Sequence, residues 1–176
     1  NMDSVRTLQR AGVKVLNGIR DLKVHAKMAL VERKEGHEHR GYAYIGTGNL
    51  NETTARLYSD MGLFTSHPEI VNDARSIFSF LLNTHKHFTC KRLLAAPYYM
   101  RQYFTELIEN KISNAKKGLP AYIHAKCNTL TDEKMIRHLY LASKAGVEVK
   151  MIVRGACCLI PQLTGVSENI EVISIV

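Results

Sequence analysis

The chain has 176 residues and a mass of 19.9 kDa, with 45% hydrophobic and 23% charged residues, an ordinary balance for a folded α/β protein. No apolar run reaches the ~18 residues that a membrane-spanning helix needs, and no signal-peptide pattern opens the chain, so the expected location is the cytoplasm. A net charge of +8 favours a polyanionic partner. The basic residues are dispersed and form no recognisable nucleic-acid module, so we expect no specific nucleic acid.

The first half of the chain predicts a helix, strands and a second helix. Residues 2–16 predict a helix, a stop at Gly12 and a strand over 13–16. Residues 22–27 (LKVHAK) predict a second strand, followed by a hairpin with a polar loop at 33–40 and a glycine-rich turn at 46–51 (GTGNLN). Helical periodicity over 69–82 follows the entry at 66–68, and residues 84–90 have the character of a linker.

The second half alternates strands and helices. Residues 93–97 predict a short strand ended by Pro97, and residues 100–117 predict a long amphipathic helix. A strand over 121–127 precedes a helix capped by Thr131 or Asp132, and strands over 147–153 and 170–176 follow. Ala-Gly-Val corners at 11–13 and 145–147 indicate a repeated helix–glycine–strand unit. Because the chain begins inside one unit and ends on a strand, we expect it to be a fragment. The alternation of strands and helices predicts the α/β class, with a domain boundary near residue 90.

The cysteines indicate the redox state of the chain. Cys90, Cys127, Cys157 and Cys158 have no CxxC spacing, and two of them are adjacent. This predicts reduced, mostly buried thiols rather than a disulfide framework. No set of four Cys and His ligands is recognisable, so structural zinc is not expected.

His25 and Lys27 are the residues that most clearly indicate chemistry. Two residues apart on a strand, they would share a face, so the imidazole can attack phosphorus while the ammonium holds a phosphate oxygen. The turn at 46–51 adds backbone N–H donors together with Asn49 and Asn51. For the two asparagines, a structural turn is the open alternative. The combination predicts phosphoryl transfer through His25.

Four further side chains suit the same chemistry. Arg56 and Tyr58 would share a strand face, where Arg suits phosphate and Tyr can stack on a base. Arg154 follows an apolar strand, at the rim where α/β sheets bind ligands; a buried salt bridge is its alternative. Asp60 is the candidate carboxylate that orients the second ring nitrogen of His25, and its alternative is a cap.

Several stretches together resemble the C-terminal part of bacterial polyphosphate kinases of the histidine-phosphorylating type. These stretches are residues 22–27, 42–51 (YAYIGTGNLN), 54–60 (TARLYSD), 153–161 (VRGACCLIP), 167–170 and 174–176. The two catalytic domains of that family are each phospholipase-D-like. The resemblance therefore implies an α/β fold of two partial phospholipase-D-like units with mixed sheets flanked by helices, at residues 1–90 and 91–176.

The resemblance also implies an activity. It implies reversible transfer of the terminal phosphate of ATP to inorganic polyphosphate through phosphohistidine at His25, with Tyr58 and Arg154 contacting the nucleotide. ATP or ADP and polyphosphate are the implied partners, and Mg²⁺ accompanies the nucleotide. The residues that bind magnesium in the family, and its second essential histidine, fall outside this chain. A homo-oligomer and a peripheral location at the inner face of the membrane are compatible with the resemblance.

His124 and Lys126 repeat the letters of residues 25–27. They lie on the strand before the helix of their unit, whereas His25 follows the strand after the corresponding helix. We therefore do not expect His124 to be a second catalytic histidine.

Two other functions remain open at this point. One is a phospholipase-D-like phosphodiesterase, whose spaced aspartate would fall near Glu32; it would hydrolyse diesters without nucleotide. The other is a non-catalytic polyanion-binding fragment, which would bind polyphosphate without phosphorylation of His25.

Overall fold

A computed structural model describes residues 2–16, 18–85 and 87–175. The chain forms two compact units, Asn1–Leu93 and Leu94–Val176, which we call unit 1 and unit 2. Both units contain helices and strands, which confirms the predicted α/β class. The division falls close to the boundary predicted near residue 90. Within the described ranges, no helix is both long and apolar enough to cross a membrane.

Unit 1 contains an antiparallel sheet with the strand order β1-β2-β3. Its elements are α1 (Met2–Arg10), β1 (Lys27–Glu35), β2 (Glu38–Gly46), α2 (Glu52–Leu57), β3 (Gly62–Thr65) and α3 (Pro68–Leu82). The predicted hairpin is confirmed, but its loop is shorter than the predicted 33–40, because β1 and β2 extend to a two-residue turn at 36–37. Gly36 has φ +62° in this turn, a conformation that glycine adopts without steric cost. The predicted helices over 2–10 and 69–82 are also confirmed.

Unit 1 has a small core where α3 packs on the hairpin. Its buried apolar residues are Ala43, Val71 and Ala74, with Met28 and Leu30 packed against them. Helix α3 can approach β2 closely at Gly41, because a Cβ at this position would overlap the Val71 side chain. Large apolar side chains elsewhere stay in solvent: Met61 is 79% exposed and Phe64 is 82% exposed.

Unit 2 contains a parallel sheet with the strand order β4-β5-β6. Its elements are α4 (Met100–Lys116), β4 (Tyr122–Cys127), α5 (Glu133–Lys144), β5 (Glu148–Val153) and β6 (Ile170–Ile173). Eleven buried apolar residues form one core, to which β5 contributes Val149, Met151 and Val153. The intervening residues of β5 point to the other face, because side chains alternate along a strand.

Helix α5 begins at one of its two predicted caps. The Asp132 carboxylate accepts a hydrogen bond from the Met135 backbone N–H at 3.0 Å, so Asp132 and not Thr131 is the cap. The same carboxylate pairs with both terminal nitrogens of Arg101 at 2.6 Å. The hydrogen bond from Arg101, followed by that from Met135, lowers the pKa of Asp132 to about 2.

A buried carboxylate fastens the end of unit 1 to α3. Asp73 is 4% exposed and accepts hydrogen bonds from three consecutive backbone N–H groups, those of residues 91–93, at 2.7–3.0 Å. Burial raises the pKa of Asp73, but the backbone donors outweigh burial and the pKa lies below its ordinary value. Arg92 adds an exposed ion pair with Glu69 at 2.7 Å. We call residues 91–93 the strap.

Three predicted strands are absent from the structure, and a fourth is shorter. Residues 13–16 pair with no strand in the described part of unit 1, and of the strand predicted over 22–27 only Lys27 pairs with a neighbouring strand, as the first residue of β1. A segment without a partner strand gains little stability. Residues 93–97 form no strand: the N–H of Leu93, the last residue of the strap, bonds Asp73, and residues 96–99 form a turn. Strand β6 ends at Ile173 rather than 176, and Val176 lies outside the described residues.

The predicted state of the cysteines is only half right. All four are free thiols, as predicted. Cys157 and Cys158 are exposed, which corrects the expectation of mostly buried thiols, because they lie in the segment after β5. Burial raises the pKa of Cys90 to about 11, with a further contribution from the charge of Asp73.

Candidate active site

Strand pairing in unit 1 brings three distant segments to one end of the sheet. The register pairs Lys27 with Gly46 and Gly46 with Gly62. The residues just before β1, the turn just after β2 and the residues just before β3 therefore meet at this end. The predicted site residues on these segments are His25, Asn49 and Asp60.

Lys27 brings its positive charge directly to the imidazole of His25. Its ammonium nitrogen Nζ lies 3.1 Å from Nε2 and 3.2 Å from Nδ1 of the ring, and it donates to the His25 carbonyl oxygen at 2.9 Å. The ring is exposed. A phosphate that approaches either ring nitrogen therefore meets a cation within hydrogen-bonding distance.

The structure corrects the reason for this proximity. His25 lies before β1, which begins at Lys27, so strand alternation cannot place the two side chains on one face. The lysine stem instead folds back along the chain, and the bond to the carbonyl of His25 holds it there.

Hydrogen bonds join the turn after β2 to the residues before β3. Thr47 Oγ1 donates to Asp60 Oδ1 at 3.0 Å, and the Thr47 backbone N–H donates to the Met61 carbonyl at 3.0 Å. The Asp60 carboxylate lies so close to Gly48 that a Cβ at this position would overlap it. Asp60 thus supports the glycine-rich turn, and its predicted role beside His25 stays a prediction.

The two asparagines of the turn have different surroundings. Asn51 caps α2, since its Oδ1 accepts from the Thr54 backbone N–H at 3.0 Å. The structural alternative therefore accounts for the oxygen end of Asn51. Asn49 is exposed and its carbonyl accepts from the Asn51 N–H at 2.8 Å, so a tight turn presents its side chain to solvent.

Arg56 and Tyr58 do not lie on a strand, which corrects the sequence prediction. Arg56 lies in the last turn of α2, and Tyr58 is the residue that ends the helix, with its backbone N–H bonded to the Thr54 carbonyl. A capped helical turn forms here because Asn51 provides an N-cap. Residues two apart on a helix do not face the same way, so no shared strand face links this pair.

Arg154 lies where the sequence predicts, at the carboxyl edge of the parallel sheet. It directly follows β5, its backbone N–H bonds the Cys127 carbonyl at 3.4 Å, and its side chain is exposed. The buried alternative for this arginine is therefore wrong. The carboxyl edge of parallel strands is the usual ligand-binding edge of α/β sheets.

Two residues beside Arg154 were missed by the sequence analysis. The Gly155 backbone N–H donates to the Asn128 carbonyl at 2.7 Å, which joins the segments that follow β5 and β4. The signals were present: an Arg-Gly pair directly after one buried strand, and an asparagine directly after the neighbouring strand.

His124 lies on β4 as predicted, on the open face of the unit 2 sheet. Its Nε2 lies 3.4 Å from Glu148 Oε1, and its ring contacts the Tyr122 ring with the centroids 5.0 Å apart and the planes tilted by 42°. The hydrogen bond from His124 lowers the pKa of Glu148. This face borders a shallow depression of about 440 Å³ that also includes Lys126 and Lys150.

Three acidic side chains of unit 1 have partners within the unit. Glu32 pairs with Arg75, where a phosphodiesterase would require its aspartate. Glu69 pairs with Arg92, and Asp60 accepts from Thr47. Across residues 2–16, 18–85 and 87–175, no group of three or more His, Cys, Asp or Glu side chains could hold a metal ion.

The chain is similar to polyphosphate kinases throughout. The family model described as "Polyphosphate kinase C-terminal domain 1" matches residues 1–87, and that described as "Polyphosphate kinase C-terminal domain 2" matches residues 93–176. Curated polyphosphate kinases from Salmonella typhimurium, Escherichia coli K12 and Synechocystis are 46%, 44% and 45% identical over all 176 residues. These matches do not favour a phosphodiesterase.

A solved structure agrees with the sequence matches. The crystal structure of polyphosphate kinase from Porphyromonas gingivalis superposes with a TM-score of 0.86 at 41% identity, over 98% of this chain and 29% of that one. The chain spans about a quarter of the length of the curated relatives, 26% for the Salmonella protein. With both family models matched in order along its length, the chain belongs to the polyphosphate kinase family.

Proposed function

We propose that this chain provides the histidine-bearing part of a polyphosphate kinase, which transfers the terminal phosphate of ATP reversibly to inorganic polyphosphate. One observation carries the proposal: the Lys27 ammonium lies within 3.2 Å of both ring nitrogens of His25, at the sheet end shared with the glycine-rich turn. Membership of the family supports the choice of substrates.

The proposed reaction has two displacements at phosphorus. A ring nitrogen of His25 uses its lone pair to attack the γ-phosphorus of ATP; a P–N bond forms, the bond to the bridging oxygen breaks, and ADP leaves. A terminal oxygen of polyphosphate then attacks the same phosphorus and the P–N bond returns its electrons to nitrogen. Both steps are reversible, because the P–N bond of the phosphohistidine can be broken by ADP as well as by polyphosphate.

Lys27 has a different task at each stage of this mechanism. In the absence of substrate its ammonium lies close to both ring nitrogens and donates to the His25 carbonyl oxygen. When a phosphate arrives, the ammonium donates to a phosphate oxygen and leaves the lone pair of the attacking nitrogen free. The charge on the peripheral oxygens in the transition state then lies beside a cation.

The remaining site residues bind and orient in this proposal. Asn49 donates its amide to a phosphate oxygen, and Asn51 can use only its NH₂ end because its oxygen caps α2. Arg56 also contacts phosphate. Asp60 accepts from the second ring nitrogen of His25 through the oxygen that Thr47 does not engage.

Other parts of the proposal rest on the family resemblance alone. Tyr58 and Arg154 each contact the nucleotide, and Mg²⁺ enters with ATP as part of the substrate. Residues 1–90 and 91–176 are two partial phospholipase-D-like units. A homo-oligomer, a cytoplasmic location and peripheral association with the membrane remain predictions, which gel filtration and membrane flotation of the full-length protein would test.

The central test uses the full-length protein and ATP labelled at the γ-phosphate. We expect a protein-bound phosphate that is stable in base and labile in acid, and we expect His25→Ala to abolish it. The Lys27→Ala variant is expected to slow labelling about 100-fold, because one preorganised charge is removed from the transition state.

The chain contains its own matched control. His124→Ala removes the histidine of the second His-Ala-Lys tripeptide, which lies on a strand beside Glu148, and it is expected to label normally. Full labelling of His25→Ala, or loss of labelling only in His124→Ala, would remove His25 from its role. Polyphosphate binding without any labelling of the wild-type protein would instead favour the non-catalytic alternative.

A further inference from the structure

Gly155 lies in a short ladder that continues the parallel sheet beyond its strands. Past the ends of β4 and β5, the Gly155 N–H bonds the Asn128 carbonyl at 2.7 Å and the Leu130 N–H bonds the Ala156 carbonyl at 2.9 Å. The Cys158 N–H returns to the Leu130 carbonyl at 2.9 Å. Three backbone hydrogen bonds therefore join residues 128–130 to residues 155–158.

Arg154 is held from both sides by this arrangement. The residue before it, Val153, is the last paired residue of β5, in register with Cys127. The residue after it is anchored by the 2.7 Å bond to Asn128. The backbone of Arg154 thus has little freedom, although its side chain reaches solvent.

Only glycine permits this close approach. A Cβ at position 155 would lie 2.7 Å from the Asn128 carbonyl oxygen, well inside van der Waals contact, and 3.4 Å from Thr129 Oγ1. The obstacle is backbone, so no side chain can rotate away from it. Any side chain at position 155 must push the two segments apart and displace Arg154 with them.

We infer that Gly155 is a positioning residue for Arg154: its missing side chain lets the segment after β5 seat on the Asn128 carbonyl, and this seating sets where the guanidinium meets the nucleotide phosphates. The inference rests on the proposed function, because it takes Arg154 as a nucleotide contact. It adds a residue that acts through geometry and touches no substrate itself.

The test compares alanine variants of the full-length protein by their dissociation constants for ATP. Gly155→Ala is expected to weaken ATP binding about tenfold, because a displaced guanidinium loses its bidentate contact. In an Arg154→Ala background the same substitution should add no further loss, since its effect passes through the arginine. A purely structural role would weaken binding equally in both backgrounds.

Gly146→Ala is the matched control at the opposite end of β5. Gly146 has φ +88° and a Cβ there would meet nothing within 4 Å, so the variant strains unit 2 without touching the carboxyl edge. We expect it to lower the melting temperature and leave ATP binding unchanged. Equal losses of affinity in both glycine variants would overturn the inference.

The remaining outcomes separate the inference from the proposed function. Unchanged ATP affinity in Arg154→Ala would contradict the nucleotide role of Arg154 itself. A large loss in Arg154→Ala with none in Gly155→Ala would refute only the positioning role. If Gly155→Ala does not fold, Ala156→Gly loosens the same segment without adding an atom. We expect a two- to threefold weaker affinity from this change, and an unchanged affinity would overturn the inference.

Discussion

At the start of α5 the carboxylate of Asp132 makes two kinds of contact, a helix cap and an ion pair. Asp132 caps the helix through the Met135 N–H and pairs with both terminal nitrogens of Arg101, and its folded pKa of about 2 lies below the ordinary 3.8. A lowered folded pKa means that the charged form stabilises the fold. This contribution is complete above about pH 4 and disappears as the pH falls through 2.

Asp132→Ala should therefore lower the melting temperature by a few degrees at pH 7 and by clearly less near pH 2, where the carboxylate of the folded protein is partly protonated. Asp132→Asn, which keeps an oxygen for the cap but loses the ion pair, should fall between the two proteins at pH 7. Thermal melts followed by circular dichroism at both pH values measure this. A difference from wild type that is the same at both pH values would contradict the titration of Asp132.

Individual residues were predictable where chemistry alone selects them. The pairing of His25 with Lys27 follows from their residue types and spacing, although the strand invoked for it does not form. Arg154 was placed correctly because an apolar run must end at a sheet edge. Gly155 was missed because its role depends on the Asn128 carbonyl, 27 positions away, and no local pattern contains that distance.

Among the elements, helices with their own stop and start signals were predictable. The N-cap at Asp132 and the entry at Pro68 are local, so the sequence places α5 and α3 well. Three predicted strands do not form, because a strand is stable only when it pairs with a neighbour. The apolar run at 13–16 has no neighbour to pair with in the described part of unit 1, so it stays irregular.

The strap offers a direct test at this scale, since it contains Lys91 and Arg92, the residues after which trypsin cuts. Asp73 holds the N–H groups of all three strap residues, so the strap must open before a protease can bind it. We expect Asp73→Ala to speed cleavage at these two bonds by tenfold or more. Mass spectrometry of the early fragments identifies the bonds that are cut.

Glu69→Gln is the control for this experiment. It removes only the exposed ion pair with Arg92 and leaves the buried carboxylate in place, so cleavage should change little. Equal acceleration in both variants would mean that the surface pair holds the strap. Acceleration everywhere in the chain, rather than at residues 91 and 92, would indicate global unfolding instead.

The two units bury very different amounts of apolar surface. Eleven buried apolar residues form the core of unit 2, against three in unit 1. Because buried apolar area is the main source of stability, unit 1 should open more readily than unit 2.

Hydrogen exchange of the 176-residue chain should show this difference. Amides of β4 and β5 are expected to exchange at least tenfold more slowly than those of β1 and β2, although the antiparallel ladder of unit 1 is the longer one. Mass spectrometry of peptides from each unit gives the two rates. Equal protection would show that the hairpin ladder compensates for the small core.

Three backbone N–H groups in a row form a cradle of the kind that proteins use to grip phosphate. In the strap, that cradle already contains an anion, the carboxylate of Asp73. Inorganic phosphate and polyphosphate therefore cannot bind these N–H groups unless they displace the carboxylate. Concentrated phosphate should leave the hydrogen bonds between the strap and Asp73 intact. A neutral denaturant that competes for the amide N–H groups should break them before the rest of unit 1 unfolds.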